Sequence, residues 1–310
     1  MDKNASQEQS PKYNFFDIAA NLCDEQYQGI YHNHKYHEDD TDEVINRALS
    51  MGVNKMLFSA GCASDTVTSY NLSLKSENFY ITCGIHPCRA SEALNANQSI
   101  DAHINELTSL ITKYKSKVVA VGECGLDYDR LHYSVKEDQL KIFPFHFDLA
   151  KQFNLPLYLH SRNTGDDFFS MINSNRHKFT NGIIHSFTEN ENELKRYLSL
   201  GLFIGVNGAS LKTKENIEVV KQIPLDKLMI ETGAPYCEIR SSSAAFELVE
   251  TKFEGRVKKE KMKKGLMCRD RNEPCTIIQV LEAVSKIKNI SKEELAKICY
   301  DNTNKFFNLK

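Results

Sequence analysis

Three short stretches, far apart in the chain, carry residue types that hold divalent metal ions. They are Gly122-Glu123-Cys124-Gly125-Leu126-Asp127, an apolar run that closes on His160, and a second apolar run followed by His185, Ser186 and Phe187. Imidazole and carboxylate together suit zinc, manganese or iron, and three protein ligands leave positions open for water and substrate. Each residue taken singly has a plainer reading: a solvated strand-end glutamate, or a histidine satisfied inside the core. Convergence of all three on one place is what makes a metal site. A fourth histidine, His86 in the run Cys-Gly-Ile-His-Pro, fits a ligand, a proton-transfer group or a hydrogen-bond donor to a substrate oxygen, because its near-neutral pKa allows all three. His32, His34 and His37 lie in a polar stretch from Gln28 to Thr41 and read as exposed loop residues.

The elements that must position these groups alternate regularly. Short β-branched or aromatic runs at residues 13–20, 54–60, 79–85, 117–124, 155–160, 182–187, 202–207 and 227–232 are separated by longer segments with apolar residues three and four apart. In the segment before residue 54, for example, Val44, Ile45, Ala48 and Leu49 share a helical face and Gly52 offers a stop. Pro144 predicts a kink or break in the segment between the fourth and fifth runs. Eight strands with helical or mixed segments after them predict an α/β fold, a (β/α)8 TIM barrel, rather than an open doubly wound sheet. In such a barrel the C-terminal strand ends surround one mouth, where Glu123, His160 and His185 meet. The expected organisation is a disordered N-terminal segment, 1–12, followed by one barrel domain over 13–310.

Composition bounds the remaining possibilities. The 310 residues, 41% hydrophobic and 26% charged, suffice for a sizeable core. A formal net charge of -2 gives no global field for nucleic acid, so any basic footprint must be local. No apolar run approaches the roughly 18 residues of a membrane span, and the polar opening lacks the apolar core of a signal peptide. Nine scattered cysteines without a C-x-x-C pair point to a reducing compartment, cytoplasmic and/or nuclear, and away from a zinc knuckle. No membrane and no obligatory protein partner are expected.

Six motifs, GIHPCRA, VGECGLDYDR, LPLYLHSRN, GIIHSF, FIGVNGASLKT and KLMIETGAPYC, in this order and spacing, resemble the TatD family of metal-dependent deoxyribonucleases, particularly its eukaryotic branch. CRDRNEPCTIIQVLE, starting at Cys268, is similar to the same branch. The resemblance runs from about Phe15 to the C-terminal helix. It implies a barrel of the metal-dependent amidohydrolase type that hydrolyses DNA phosphodiesters with Mg2+, Mn2+ or Zn2+, one or two ions per chain, and with 3′-5′ exonuclease character. It also implies Glu123 as a bridging carboxylate, His160 and His185 as imidazole ligands, and His86 near the metals and the phosphate. The metal set is therefore Glu123, His160 and His185; the catalytic set is Glu123, His86 and position 233. Arg162, two residues after His160, Lys212 and Asn21 are the candidate substrate- or phosphate-binding residues.

Two departures from the family pattern stand out. Many members carry an H-x-H pair on the first strand, where this chain has Ala19 and Asn21, so one ion is expected to be held firmly and a second loosely or not at all. In place of the family's E-T-D-A-P this chain reads ETGAP, which puts Gly233 where a metal-ligating, proton-accepting aspartate belongs. Losing a positioned base lowers a rate on the order of a hundred- to ten-thousandfold, so Gly233→Asp is expected to raise activity by roughly tenfold or more. Glu231, two residues earlier, could face the same side of an extended strand but one layer deeper in the barrel, and its simpler role is structural. A degenerate metal- and nucleic-acid-binding protein with little turnover is the alternative that Gly233 supports; a small-molecule amidohydrolase is the one that the barrel alone permits.

After the eighth strand, Lys252, Arg256, Lys258, Lys259, Lys261, Lys263 and Lys264 crowd together, followed by Arg269 and Arg271. A loop there emerges at the mouth, so the segment fits phosphate tracking. With only Phe246 and Phe253 near it, extensive base stacking is not expected.

Overall fold

The protein is described here by a computed structural model covering residues 12–95 and 99–309. Eight parallel strands form one sheet in sequential order: β1 (Phe15–Asp17), β2 (Val53–Phe58), β3 (Phe79–Cys83), β4 (Val118–Asp127), β5 (Leu157–Arg162), β6 (Gly182–Ile184), β7 (Phe203–Val206) and β8 (Leu228–Ile230). All eight fall within or overlap the runs predicted from sequence. Beyond the strands proper, an isolated parallel bridge between Ala20 and Ala234 brings the first and last together. Below it, the Asp17 side chain takes the backbone N–H of Thr232 at 3.0 Å and also accepts from the Thr232 hydroxyl. A side chain thus bonds across the seam where a regular ladder is missing, and the barrel is nearly closed.

The helices follow from apolar spacing. In α1 (Thr41–Ser50), Val44, Ile45 and Ala48 are buried, and the chain leaves through Gly52 at φ 87°. α2 spans Ala63–Ser73, α3 Ala90–Asn95, α4 Ile100–Lys113 and α5 Lys136–Phe153. α5 runs through Pro144 without the expected break. Its buried face, with Ile142, Phe143 and Phe147, remains docked, and Phe143 stacks on Phe168 at 5.5 Å, so packing offsets the backbone bond that proline removes. α6 (Asp166–Asn175), α7 (Glu191–Ser199) and α8 (Lys214–Gln222) complete the ring, and α9 (Ile277–Lys288) and α10 (Lys292–Phe306) follow the long tail after β8.

Two apolar layers result. The larger lies between strands and helices; the smaller fills the barrel with Phe16, Ile18, Leu57, Val119, Tyr158, Ile183 and Met229. Phe306 and Phe307 close its lower end, where Phe306 meets Phe203 at 5.2 Å. Burying one such ring is worth about 1.5–3 kcal/mol. With that end plugged, the open end is the one at the C-terminal strand termini.

Of the segment expected to be disordered, residues 1–11 lie outside the described residues, whereas Lys12 pairs with Glu293 at 2.8 Å. The polar stretch after β1 is not wholly irregular: Ile30–Tyr31 and His34–Lys35 form a short antiparallel hairpin turning through His32 and Asn33 at positive φ. His32 and His34 are exposed there, as expected, and His37 packs against Tyr31.

Candidate metal centre and nucleic-acid cleft

The geometry begins with an irregularity in β4. Gly122 pairs with Tyr158 and Cys124 with Leu159, which leaves Glu123 as an extra residue. Such a bulge re-aims a side chain, a device common beside active sites. Glycine is needed before it, because Gly122 has φ 144° and a Cβ there would lie 2.3 Å from the Tyr158 carbonyl oxygen. The result directs the Glu123 carboxylate into the mouth.

Three imidazoles meet that carboxylate at a single oxygen. Glu123 Oε1 lies 2.7 Å from His185 Nε2, 2.9 Å from His160 Nδ1 and 3.2 Å from His86 Nε2. Glu123, His160 and His185 therefore converge as the sequence reading required, and His86 joins them. Ligand atoms of His86, Glu123 and His160 all lie within 4.8 Å of one another, a spacing that one cation can bridge.

Each histidine is held differently. His86 caps the turn Pro87–Arg89, with Nδ1 accepting the Cys88 N–H at 3.1 Å. A neutral ring so engaged carries its proton on Nε2 and presents a donor to the cleft. The Nε2 of His160 faces Asp127 Oδ2 at 2.9 Å, on a carboxylate fully buried at the end of β4. When that nitrogen donates to Asp127, Nδ1 keeps its lone pair for a cation. His185 stacks on Tyr158 at 4.6 Å, and its buried Nδ1 has no hydrogen-bond partner among the described residues. Glu231 Oε1 is the nearby carboxylate, 3.9 Å away.

Charges follow this layout. Burial alone would raise the Glu123 carboxyl, but His185 and His86 beside it hold it well below the usual range. Burial opposes protonation of His86 and His185, yet the Glu123 charge outweighs it and raises both above 6.5. Burial pushes Glu231 up to about 7 and Asp17 up to about 6. Glu231 Oε1 accepts from the Ser186 backbone at 2.7 Å and from Asn207 Nδ2 at 2.9 Å. That deep, bonded position agrees with a structural role.

A cleft of about 540 Å3 surrounds the centre. Besides Glu123 and the three histidines, Ala19, Asn21, Arg162 and Gly233 line it, so the two H-x-H positions do face inward. Asn21 Oδ1 accepts from the Ser59 hydroxyl at 2.6 Å. The Nε of Arg162 is buried without a partner among the described residues. Lys212, which follows the turn Ala209–Leu211, is exposed and is not part of the lining. Sequence reading missed Asp127, Arg130, His132, Tyr133, Tyr236 and Cys237. For Asp127 a signal existed, since it ends the same strand as Glu123; the others sit in loops whose course no periodicity reveals.

Position 233 needs more than a change of residue type. Gly233 has φ 64°, and a Cβ there would stand 2.9 Å from both Cys237 Cβ and Asn207 Nδ2. An aspartate would be strained before it reached any ligand, contrary to the expectation that Gly233→Asp by itself restores a base.

The basic tail is also less free than its sequence implies. Arg271 is fully buried, with both terminal nitrogens 2.6 Å from the Asp40 carboxylate and one 3.1 Å from Glu273. Arg47 of α1 reaches the same Glu273 at 2.8 Å. Arg256 bonds Glu238 and the Cys268 and Arg271 carbonyls. Both arginines thus tie the tail to the barrel and are withdrawn from phosphate contact. Lys259 lies over the Tyr36 ring at 4.2 Å, while Lys258, Lys261, Lys263 and Lys264 are exposed.

The fold brings Tyr31 and Tyr36 against the tail at Lys259, and in the cleft itself Tyr133 after β4 and Tyr236 after β8 are 63% and 58% exposed. All nine cysteines are free thiols. Among the described residues no helix is long and apolar enough to cross a membrane.

Residues 16–308 match the family described as TatD related DNase. The chain is 42% identical over 293 residues to the deoxyribonuclease Tat-D of Schizosaccharomyces pombe, covering 93% of this chain and 94% of that one. It is 31% identical to the 3′-5′ ssDNA/RNA exonuclease TatD of a Rahnella strain, with 95% and 98% covered. Among solved structures, a TatD family hydrolase from Entamoeba histolytica superposes with a TM-score of 0.89 at 36% identity, over 96% of this chain and 99% of the other.

Proposed function

The chain belongs to the TatD related DNase family, and from that premise we propose that it is a divalent-metal-dependent deoxyribonuclease that hydrolyses phosphodiester bonds from a 3′ end. The observation that carries the reading is the meeting of three imidazole nitrogens at one oxygen of Glu123, within 3.2 Å. A buried oxygen and nitrogen set of this kind fits a divalent ion, and the Tyr158 ring stacked on His185 at 4.6 Å fixes the direction of its Nε2.

Glu123, His160 Nδ1 and His185 Nε2 are the groups that would hold the ion. When bound, it would supply Lewis-acid polarisation of a phosphoryl oxygen and acidify water. The protein's own groups do the rest. His86 Nε2–H faces the same space and donates to a phosphate oxygen or to the departing sugar oxygen. Arg162, with its unpaired Nε, at the end of β5 and Arg130 in the loop after β4 neutralise the phosphate. Asp127 fixes the tautomer and direction of His160. Asn21 lies within reach of substrate at the β1 end. With glycine at 233, Glu123 is the sole carboxylate among the cleft-lining residues, and it is a weak base. Turnover is accordingly slower than in a relative with aspartate there.

Single-turnover degradation of a labelled oligonucleotide in Mg2+, Mn2+ or Zn2+, compared with Glu123→Ala, tests this. Metal-dependent cleavage that disappears in the variant is expected. DNA and metal binding without cleavage in any of the three would instead make the chain a binding protein, the reading that Gly233 favours.

A further inference from the structure

We propose that Tyr133 and Tyr236 form a stacking clamp that grips the unpaired terminal bases of a single nucleic-acid strand on either side of the cleft. The proposal rests on the nuclease reading and adds to it the two side chains that hold the strand end.

Position is the first support. β4 and β8 are four strands apart in an eight-stranded ring, hence opposite one another, and the loops that follow them carry the two tyrosines. Both side chains line the cleft that holds Glu123. Their exposures, 63% and 58%, are high for large aromatic groups at the edge of a concave site. An exposed ring in such a place has a face available to a base, and every base has a face to offer.

The second support is that Tyr236 is held rigidly with its ring uncovered. Its hydroxyl donates to Asp24 Oδ2 at 2.8 Å, and its backbone N–H donates to the Gly233 carbonyl at 2.8 Å. Its own carbonyl accepts from Asn272 Nδ2 at 2.8 Å, and that amide also bonds the Thr232 carbonyl. Asn272 belongs to the tail motif that the metal centre leaves unexplained. Tip and backbone are fixed, yet no aromatic or cationic group covers the ring among the described residues. A platform ordered in advance loses little entropy when a base settles on it. Tyr133 is held by its backbone alone, with its N–H on the Arg130 carbonyl at 3.0 Å, and the tilted His132 ring lies 4.2 Å away on one side, so the rest of its 63% exposed ring is what a base can meet.

Recess and charge complete the argument. Glu123 is 9% exposed and His160 7%, so the reacting phosphate must enter the mouth to reach them. A strand end can enter, and its splayed bases then meet aromatic rims while Arg130 and Arg162 face the backbone.

Binding of an uncleavable phosphorothioate strand tests the clamp without reference to turnover, so it fails independently of the nuclease reading. Tyr133→Ala and Tyr236→Ala should each weaken binding about tenfold, with Tyr133→Phe close to unaltered. A strand lacking its two 3′-terminal bases should bind the unsubstituted protein as weakly as an ordinary strand binds the alanine variants. 2-Aminopurine at the 3′ end should lose fluorescence on binding to the unsubstituted protein and less in the alanine variants. Equal affinity for the base-less and ordinary strands would overturn the proposal, and that comparison needs no variant to fold. Unchanged binding by both alanine variants would overturn it as well.

Discussion

Gly233 and Cys237 compete for one volume: a Cβ on the first would stand 2.9 Å from the Cβ and 3.0 Å from the Sγ of the second. Cys237 itself holds φ 58°, and Tyr236 N–H closes the turn onto the Gly233 carbonyl at 2.8 Å. The loop after β8 is thus built around the absence of a side chain at 233.

Gly233→Asp alone should lower stability by about 1–3 kcal/mol, from the positive φ and the overlap together, and should give no gain in cleavage rate. Combined with Cys237→Gly, which removes the Cβ and Sγ at a position whose φ suits glycine and leaves only the Asn207 amide to shift by a few tenths of an ångström, the aspartate should raise the rate roughly tenfold or more. Thermal melts and single-turnover rates on the single and double variants decide it. A faster single variant with an unchanged melting temperature contradicts the steric argument.

Removing Asp127 should loosen the metal. Asp127→Ala leaves His160 without the carboxylate that faces its Nε2 at 2.9 Å, and divalent affinity should fall about 10–100-fold, measured by calorimetry. Circular dichroism should be preserved. Affinity equal to that of the unsubstituted protein would show that His160 needs no such partner.

The pH response of the metal-free protein has a definite sign. His86 and His185 are raised above 6.5, despite burial, by Glu123, and burial raises Asp17 to about 6 and Glu231 to about 7. A raised group stabilises the fold below its unfolded pKa and loses that contribution as pH climbs through its folded one. Buried His146, lowered to about 4, acts in the opposite sense up to about pH 6.5, so in EDTA the decline in melting temperature should be read between about pH 6.5 and pH 8, where only the raised groups still titrate. Further acidification protonates the depressed Glu123 and should lower stability again. Metal needs unprotonated imidazole, so the increase in melting temperature on adding Zn2+ should grow over the range where the metal-free protein weakens. A flat or rising metal-free profile would falsify this assignment.

The tail can be tested through salt. Lys258, Lys261 and Lys263 are exposed, whereas Arg256 and Arg271 are committed to internal bonds. Replacing the three lysines by alanine should reduce the salt dependence of single-strand binding by about 2 in log–log slope, at roughly 0.7 per phosphate contact. Replacing Arg271 should instead destabilise the tail, because the buried Asp40 and Glu273 carboxylates would be left to share the single Arg47 cation. An unaltered slope in the triple variant would remove the lysines from the interface.

Much of the fold could be read from the chain, because strand runs and helical spacing are local properties. All eight strands were placed, with errors mainly at their ends, where β4 runs on to Asp127 and β1 stops at Asp17. Glu123, His160 and His185 were recognisable because strand order in a barrel dictates which ends become neighbours. Sequence also supplied Gly233, as a residue type in a motif.

Tertiary structure alone decided what lies between residues that no period connects. That Arg271 is buried against Asp40, while the lysines nearby stay in water, depends on how the tail folds over α1. That Gly233 cannot simply be replaced depends on a turn that brings Cys237 onto it. Tyr133 and Tyr236 share one cleft because two loops 103 positions apart rise from opposite sides of the same ring. Local propensity governs short-range backbone choices; desolvation, steric exclusion and charge pairing act across space, and their outcome exists only once the chain has closed.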